Sequence, residues 1–173
     1  MISDQYRLEL TPHSLKIQPH YYLLKRDFKW YVAILLSAIL CLPFAEKYLA
    51  EPGLVLVLSI GMLMLYFLIR DYFFKVNVCY IFDRSTRCIY KTNTPFVNKK
   101  PIIRFDEMTI FTNSESGSWQ YAMGIRQKQF LKSYCISEPF GSGEKSAKRQ
   151  EEYEQQILSK IEEMASQTAV RTS

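Results

Sequence analysis

Apolar positions along this chain follow three rhythms. In residues 30–44 (WYVAILLSAILCLPF) and 54–69 (LVLVLSIGMLMLYFLI) no charge interrupts them. On either side of these runs, apolar and polar residues alternate with the period of a half-buried strand. From Glu144 to Ala165 the period lengthens to that of an amphipathic helix, with Tyr153, Ile157, Leu158, Ile161, Met164 and Ala165 on one stripe.

The two uncharged runs predict helices that are apolar on every side. Each falls slightly short of the ~20 residues that cross a hydrocarbon core of ~30 Å. The first can extend through Ala45, Tyr48 and Leu49, with Glu46 and Lys47 reaching the interface and Pro43 kinking its end. The connection 45–53 (AEKYLAEPG) is too short for a domain and carries a Pro52-Gly53 turn signal. The helices are therefore antiparallel, and the reading is a two-helix transmembrane hairpin over 29–71. A re-entrant or monotopic hairpin and a buried hairpin of a soluble protein are the alternatives. Ser37, Ser59 and Gly61 are candidates for close helix packing. No Asp, Glu, Lys, Arg or His lies mid-run, which argues against an ion pathway or proton relay.

Short strands surround the hairpin. Residues 6–12 (YRLELTP) and 14–24 (SLKIQPHYYLL) read as two strands about a turn, so 1–28 is expected to lend a strand pair to the β domain. Phe74, Val76, Val78, Tyr80 and Phe82 share a face, and after a turn at 83–86 residues 87–91 return. A loop is expected through Thr94, Pro95, Asn98, Lys99, Lys100 and Pro101. Runs at 102–105 and 108–112, a turn at 113–118, a strand carrying Trp119, Tyr121, Met123 and Ile125, a turn at 127–129, and a last strand from Phe130 to Ile136 follow. About seven strands with evenly spaced turns predict a small antiparallel sandwich or barrel. The helix 144–165 closes it, and 167–173 is expected to be disordered. The fold class expected is membrane α+β.

Charge sharpens the topology. The 173 residues carry a net +5 and the pI is near 9.0. Lys25, Arg26 and Lys29 precede the first apolar run, and Arg70 and Lys75 follow the second, whereas the connection holds one Lys. Both termini are thus expected on the cytoplasmic side, with these five cations at the membrane surface. Nucleic acid is not an expected partner, because no basic stripe interleaves with stacking aromatics. No cleavable signal peptide is visible, and the first run reads as an uncleaved signal anchor.

Reactive constellations are sparse. Cys41, Cys79, Cys88 and Cys135 show neither CxxC nor zinc-site spacing and read as reduced core thiols. His13 and His20 sit beside prolines without a ligand-spaced neighbour. Asp106-Glu107 makes a poor acid/base pair. Gly141-Ser142-Gly143 before Glu144 reads as a turn and cap rather than an anion site. There is no GxSxG, HExxH, Walker A or GxGxxG pattern. No catalytic, cofactor or metal site is expected, and the chain is read as a non-enzyme.

The text CYIFDRSTRCIYK, then KPIIRFDEMTIFT, then WQYAMGIRQ, then the 144–165 helix resembles bacterial pleckstrin-homology-like domains. With a strand pair and a membrane hairpin ahead of it, almost the whole chain resembles the small YcxB-like inner-membrane proteins. That resemblance implies a PH-like β domain held at the cytoplasmic face. The expectation is a membrane-anchored interaction module whose partners are the bilayer and a protein, with homo-oligomerisation open. An immunity protein against a membrane-acting toxin is the alternative, ahead of a lipid-binding regulator or a lipid-acting enzyme.

Overall fold

In the computed structural model, residues 2–26, 28–48, 50–93, 99–115, 117–125 and 132–166 are described. The expected loop at 94–98, the turn at 127–129 with Phe130, and the 167–173 tail lie outside them. The chain is α+β. It divides into one unit of Met1–Tyr21 with Asn77–Ser173, and another of Tyr22–Val76.

The first unit contains two antiparallel sheets. One has the strand order β1 (Glu9–Leu10), β2 (Ser14–Ile17), β3 (Val78–Asp83), β4 (Cys88–Asn93), β5 (Lys100–Arg104). The other runs β6 (Met108–Glu115), β7 (Ser118–Ile125), β8 (Ser133–Cys135). Eight strands are therefore described, in two separate sheets. Pairing of β2 with β3, Ser14 opposite Asp83 and Ile17 opposite Tyr80, joins segments far apart in sequence.

Alternation fixes which face is buried. Val78, Tyr80 and Phe82 of β3 enter the core with Leu15, Ile17, Ile89, Ile103 and Met123. The C-terminal helix runs from Glu144 to Ser166, with a π-helical turn at Glu154–Leu158 between α5 (Glu144–Tyr153) and α6 (Ser159–Ser166). Tyr153, Ile157, Ile161 and Met164 all fall on its buried stripe. Tyr153 is fully buried; its ring lies 5.0 Å from Tyr6, 5.7 Å from Tyr121 and 5.9 Å from Phe140. Its hydroxyl donates to the Ile136 carbonyl at 2.8 Å, meeting the need of a buried phenol for a partner.

A polar ladder docks the same helix on β7. Trp119 Nε1 donates to Gln150 Oε1 at 3.0 Å, Gln150 Nε2 to Glu154 Oε1 at 2.7 Å, and the Tyr121 hydroxyl to Glu154 Oε1 at 2.5 Å. The helix start is capped simply. Gly143 is the extended N-cap, and the Ser146 hydroxyl accepts the Gly141 N–H at 2.7 Å.

Several expected strand positions are otherwise. Residues 2–5 form a short helix α1 (Ile2–Gln5), and Arg7 has φ 43°, so the first strand is confined to Glu9–Leu10. Tyr6 instead fills the core, and its hydroxyl accepts the Glu138 N–H at 3.0 Å. Residues 21–26 are helix α2 (Tyr21–Arg26) rather than strand, since four apolar residues in a row there do not alternate. Phe74 is exposed and Val76 ends a π-helical turn, Tyr72–Val76, so the strand begins only at Val78. Lys100 and Pro101 belong to β5, and the β6–β7 strands run to Glu115 and from Ser118.

The second unit is a helical hairpin, α3 (Phe28–Tyr48) and α4 (Ala50–Asp71). Two helical stretches, Tyr21–Phe44 and Glu51–Val76, are long and apolar enough to cross a membrane, and none of their apolar windows is buried within the protein. Helix α3 continues past Pro43 to Tyr48. The expected Pro52-Gly53 turn lies inside the first turn of α4, where the missing proline N–H has no intrahelical partner to lose. Of the three small residues, only Gly61 faces the other helix, its Cβ direction meeting Ala38 at 3.9 Å. Ser37 and Ser59 are exposed and donate to the carbonyls of Ile34 and Val55 in their own helices.

Candidate functional site

Within the β unit, strand register brings lysines together that the sequence keeps apart. Lys91 of β4 lies directly opposite Lys100 of β5. Like charges in that position repel. Lys132, just before β8, comes to the same place from the other sheet. Between them is a groove of about 470 Å³ floored by Pro101, Ile102, Ile125 and Tyr134. Its remaining walls are Thr92 and Asn93.

Charge balance in this groove is one-sided. Among the described residues no carboxylate lines it, and none of the three lysines has an ion-pair partner. Lys91 Nζ lies 5.9 Å from the Tyr134 ring, a contact that steadies the ammonium without neutralising it. Among the described residues, Asn93 Oδ1 is buried without a hydrogen-bond partner. A buried acceptor of that kind costs free energy until a donor reaches it. The groove can thus hold an anion that carries an apolar part.

Lys99 is handled differently. Its ammonium stands 4.1 Å from the Tyr90 ring and 3.7 Å from Asp83 Oδ2. Burial disfavours the charged form of Asp83, but the N–H groups of Ser85 and Thr86, together with Lys99, hold its carboxyl below the usual range. That set fixes the β3–β4 turn and leaves Lys99 compensated.

The five cations expected at a membrane surface fall in the helical unit. Lys25 and Arg26 end α2, and Lys29 is exposed in the first turn of α3. Arg70 and Lys75 are brought together on one carboxylate. Asp71 Oδ1 accepts from Arg70 Nη2 at 2.9 Å and Lys75 Nζ at 3.1 Å, and Oδ2 accepts from the Tyr31 hydroxyl at 3.2 Å. This ties α3 to the end of α4. A cavity of about 140 Å³ opens beside it, lined by Leu23, Phe28, Leu68, Tyr72 and Val76 in addition to Tyr31, Asp71 and Lys75.

Other candidates are ordinary. Asp106 and Glu107 lie on a 3-10 turn, and Asp106 pairs with Arg87 at 3.2 Å. His13 is an exposed turn residue. All four cysteines are free thiols, and burial pushes Cys79 up to about 11. Among the described residues no three His, Cys, Asp or Glu side chains gather as a metal site.

Sequence reading placed Lys100 in an expected loop and gave no role to Lys91 or Lys132. Strand register and the meeting of the two sheets bring the three to one groove. Comparison with known proteins finds no family profile, curated protein or solved structure that matches the chain.

Proposed function

We infer that the protein is a non-enzymatic interaction module, anchored in the bacterial inner membrane by the α3–α4 hairpin with both termini on the cytoplasmic face. The observation that carries this reading is the groove of Lys91, Lys100 and Lys132: three cations without an ion-pair partner among the described residues, over an apolar floor. Such a surface suits an acidic, partly apolar segment of a partner protein, because complementary charge steers encounter while the floor supplies contact area. The groove's lining offers no paired acid and base or activated nucleophile.

Membrane anchoring is supported by two helices that each contain a charge-free apolar run, 30–44 and 54–69, and whose apolar windows are not covered by the protein, and by the crowding of Lys and Arg outside the hairpin's turn. Two antiparallel sheets with a closing C-terminal helix and a helical insertion are consistent with a PH-like domain of the YcxB-like kind. The anchor is tested first. Membrane pellets washed in alkaline carbonate retain an integral hairpin, and release of the protein refutes the anchor.

The module is then tested by affinity purification from mild detergent with three proteins: wild type, a version with an unrelated hairpin, and Lys91→Glu/Lys100→Glu/Lys132→Glu. A partner captured by the first two and lost from the third is the expected result. A partner kept by the lysine variant but lost with the foreign hairpin moves recognition into the membrane, as an immunity role requires. No partner with any of the three overturns the interaction reading.

A further inference from the structure

The base of the hairpin contains a second cationic feature, and it differs from the groove in being pre-assembled. Asp71 is only 16% exposed and gathers Arg70 and Lys75 on one oxygen. Arg70 is also steadied over the Phe67 ring at 4.9 Å. The carboxylate orients the two cations without exhausting them. A guanidinium has five N–H donors and an ammonium three, and Arg70 and Lys75 remain 41% and 50% exposed. The cluster keeps a net charge of +1.

The adjoining cavity has the chemistry of a headgroup site. Lys75 and Tyr72, both able to donate hydrogen bonds, line it, and Leu23, Phe28 and Leu68 give it an apolar side. Farther along the same helix pair lies an apolar recess of about 130 Å³. The wall residues Phe28, Tyr31, Leu35, Ala38 and Leu42 recur at spacings of three and four along α3. On α4, Gly61, Leu65 and Leu68 do the same, and the π-helical turn that continues it adds Tyr72 and Lys75. Those spacings mark one face of α3 and of α4, and the cavity and the recess both lie in the seam between these two helices. Gly61 opposite Ala38 keeps the seam shallowly open at its apolar end.

We propose that this seam holds one glycerophospholipid, its phosphate on Lys75, Arg70 and Tyr72 and an acyl chain along the Ala38–Gly61 recess. The proposal rests on the membrane reading of the hairpin. A polar end with net positive charge continuing into an apolar groove matches an amphiphile with an anionic head, and neither feature alone would specify one. Asp71 Oδ2 accepts only from Tyr31 among its described contacts. It can also take an ammonium, which favours an ethanolamine headgroup over glycerol.

Native mass spectrometry of the full chain decides it. The protein is delipidated in detergent, then given phosphatidylethanolamine or phosphatidylglycerol. Wild type should hold one lipid per chain. Lys75→Gln should lower occupancy at limiting lipid roughly tenfold, the effect of losing one charge-assisted contact. Lys75→Arg should restore it, and Leu68→Trp, which fills the cavity and keeps every charge, should lower it too. Asp71→Asn should abolish the preference for ethanolamine. Equal occupancy in wild type, Lys75→Gln and Leu68→Trp overturns the site even when the carbonate wash retains the protein. Displacement by soluble glycerophosphate at equal concentration overturns the role of the acyl chain. Release of the protein by carbonate overturns both this site and the membrane reading.

Discussion

Replacing Tyr153 tests whether the C-terminal helix is part of the core or a cover upon it. The side chain is fully buried against Tyr6, Tyr121 and Phe140, and its hydroxyl donates to the Ile136 carbonyl. An aromatic side chain of this size buries roughly 150–250 Å², and Phe or Trp to Ala changes in cores cost about 3–5 kcal/mol once the cavity is included. We expect Tyr153→Ala to cost ~4 kcal/mol. Tyr153→Phe keeps the ring and loses one buried hydrogen bond, for about 1–2 kcal/mol. The assay is urea denaturation of the full chain in detergent on a Trp30→Phe background. That leaves Trp119, whose indole bonds Gln150 of the docked helix, as the reporter. With a slope of ~2 kcal/mol per molar urea, the midpoints should fall by roughly 2 M and 0.5–1 M. If Tyr153→Ala shifts the midpoint no more than Tyr153→Phe, the aromatic cluster contributes little, and the burial argument is wrong.

Other consequences can be checked in parallel. The Glu154 carboxyl is held below its ordinary 4.5 by hydrogen bonds from Tyr121 and then Gln150. A depressed carboxyl stabilises the fold above its unfolded pKa and loses that contribution as pH falls through the folded one. Midpoints measured from neutral pH to below 4.5 should therefore drop more steeply for wild type than for Glu154→Gln, and parallel profiles would refute the link. With burial pushing its thiol up to about 11, Cys79 should react with iodoacetamide far more slowly in the folded protein than in urea; equal labelling of Cys79 in the two conditions by mass spectrometry would contradict this. Gly61→Ala should leave the hairpin unchanged, because a Cβ there meets Ala38 at ordinary contact distance. Gly61→Leu should separate the helices, and disulfide trapping between cysteines placed on α3 and α4 reads the difference.

Much of the architecture was legible where periodicity was strong. The hairpin, the C-terminal stripe from Tyr153 to Met164, and the β3, β4 and β7 strands all follow from spacing alone. Misreadings cluster where backbone conformation or a neighbour overrides local pattern. Tyr6, Leu8 and Leu10 alternate like a strand, yet Arg7 turns left-handed and Tyr6 goes to the core. Pro52-Gly53 looks like a turn, yet proline is tolerated in a helix's first turn. The candidate groove was illegible for another reason. Lys91 and Lys100 become neighbours only through the β4–β5 register, which shifts at Ile89/Tyr90, and Lys132 reaches them from a different sheet. By contrast, Arg70 and Lys75 could be paired from sequence, since Asp71 sits one and four residues away.

The β2–β3 pairing also sets an order of events during synthesis. Ser14–Ile17 cannot find Tyr80–Asp83 until the intervening hairpin has left the ribosome. At ~5–20 residues per second, about 60 residues take several seconds. Throughout that interval the N-terminal strands have no partner on β3, while α3 and α4 are the newest segments to emerge. The α3–α4 hairpin is therefore complete before the β unit can close, and a chain stalled at that stage exposes an unpaired strand edge. Quality control acting on this protein would meet its unpaired N-terminal strands as one mark of unfinished assembly.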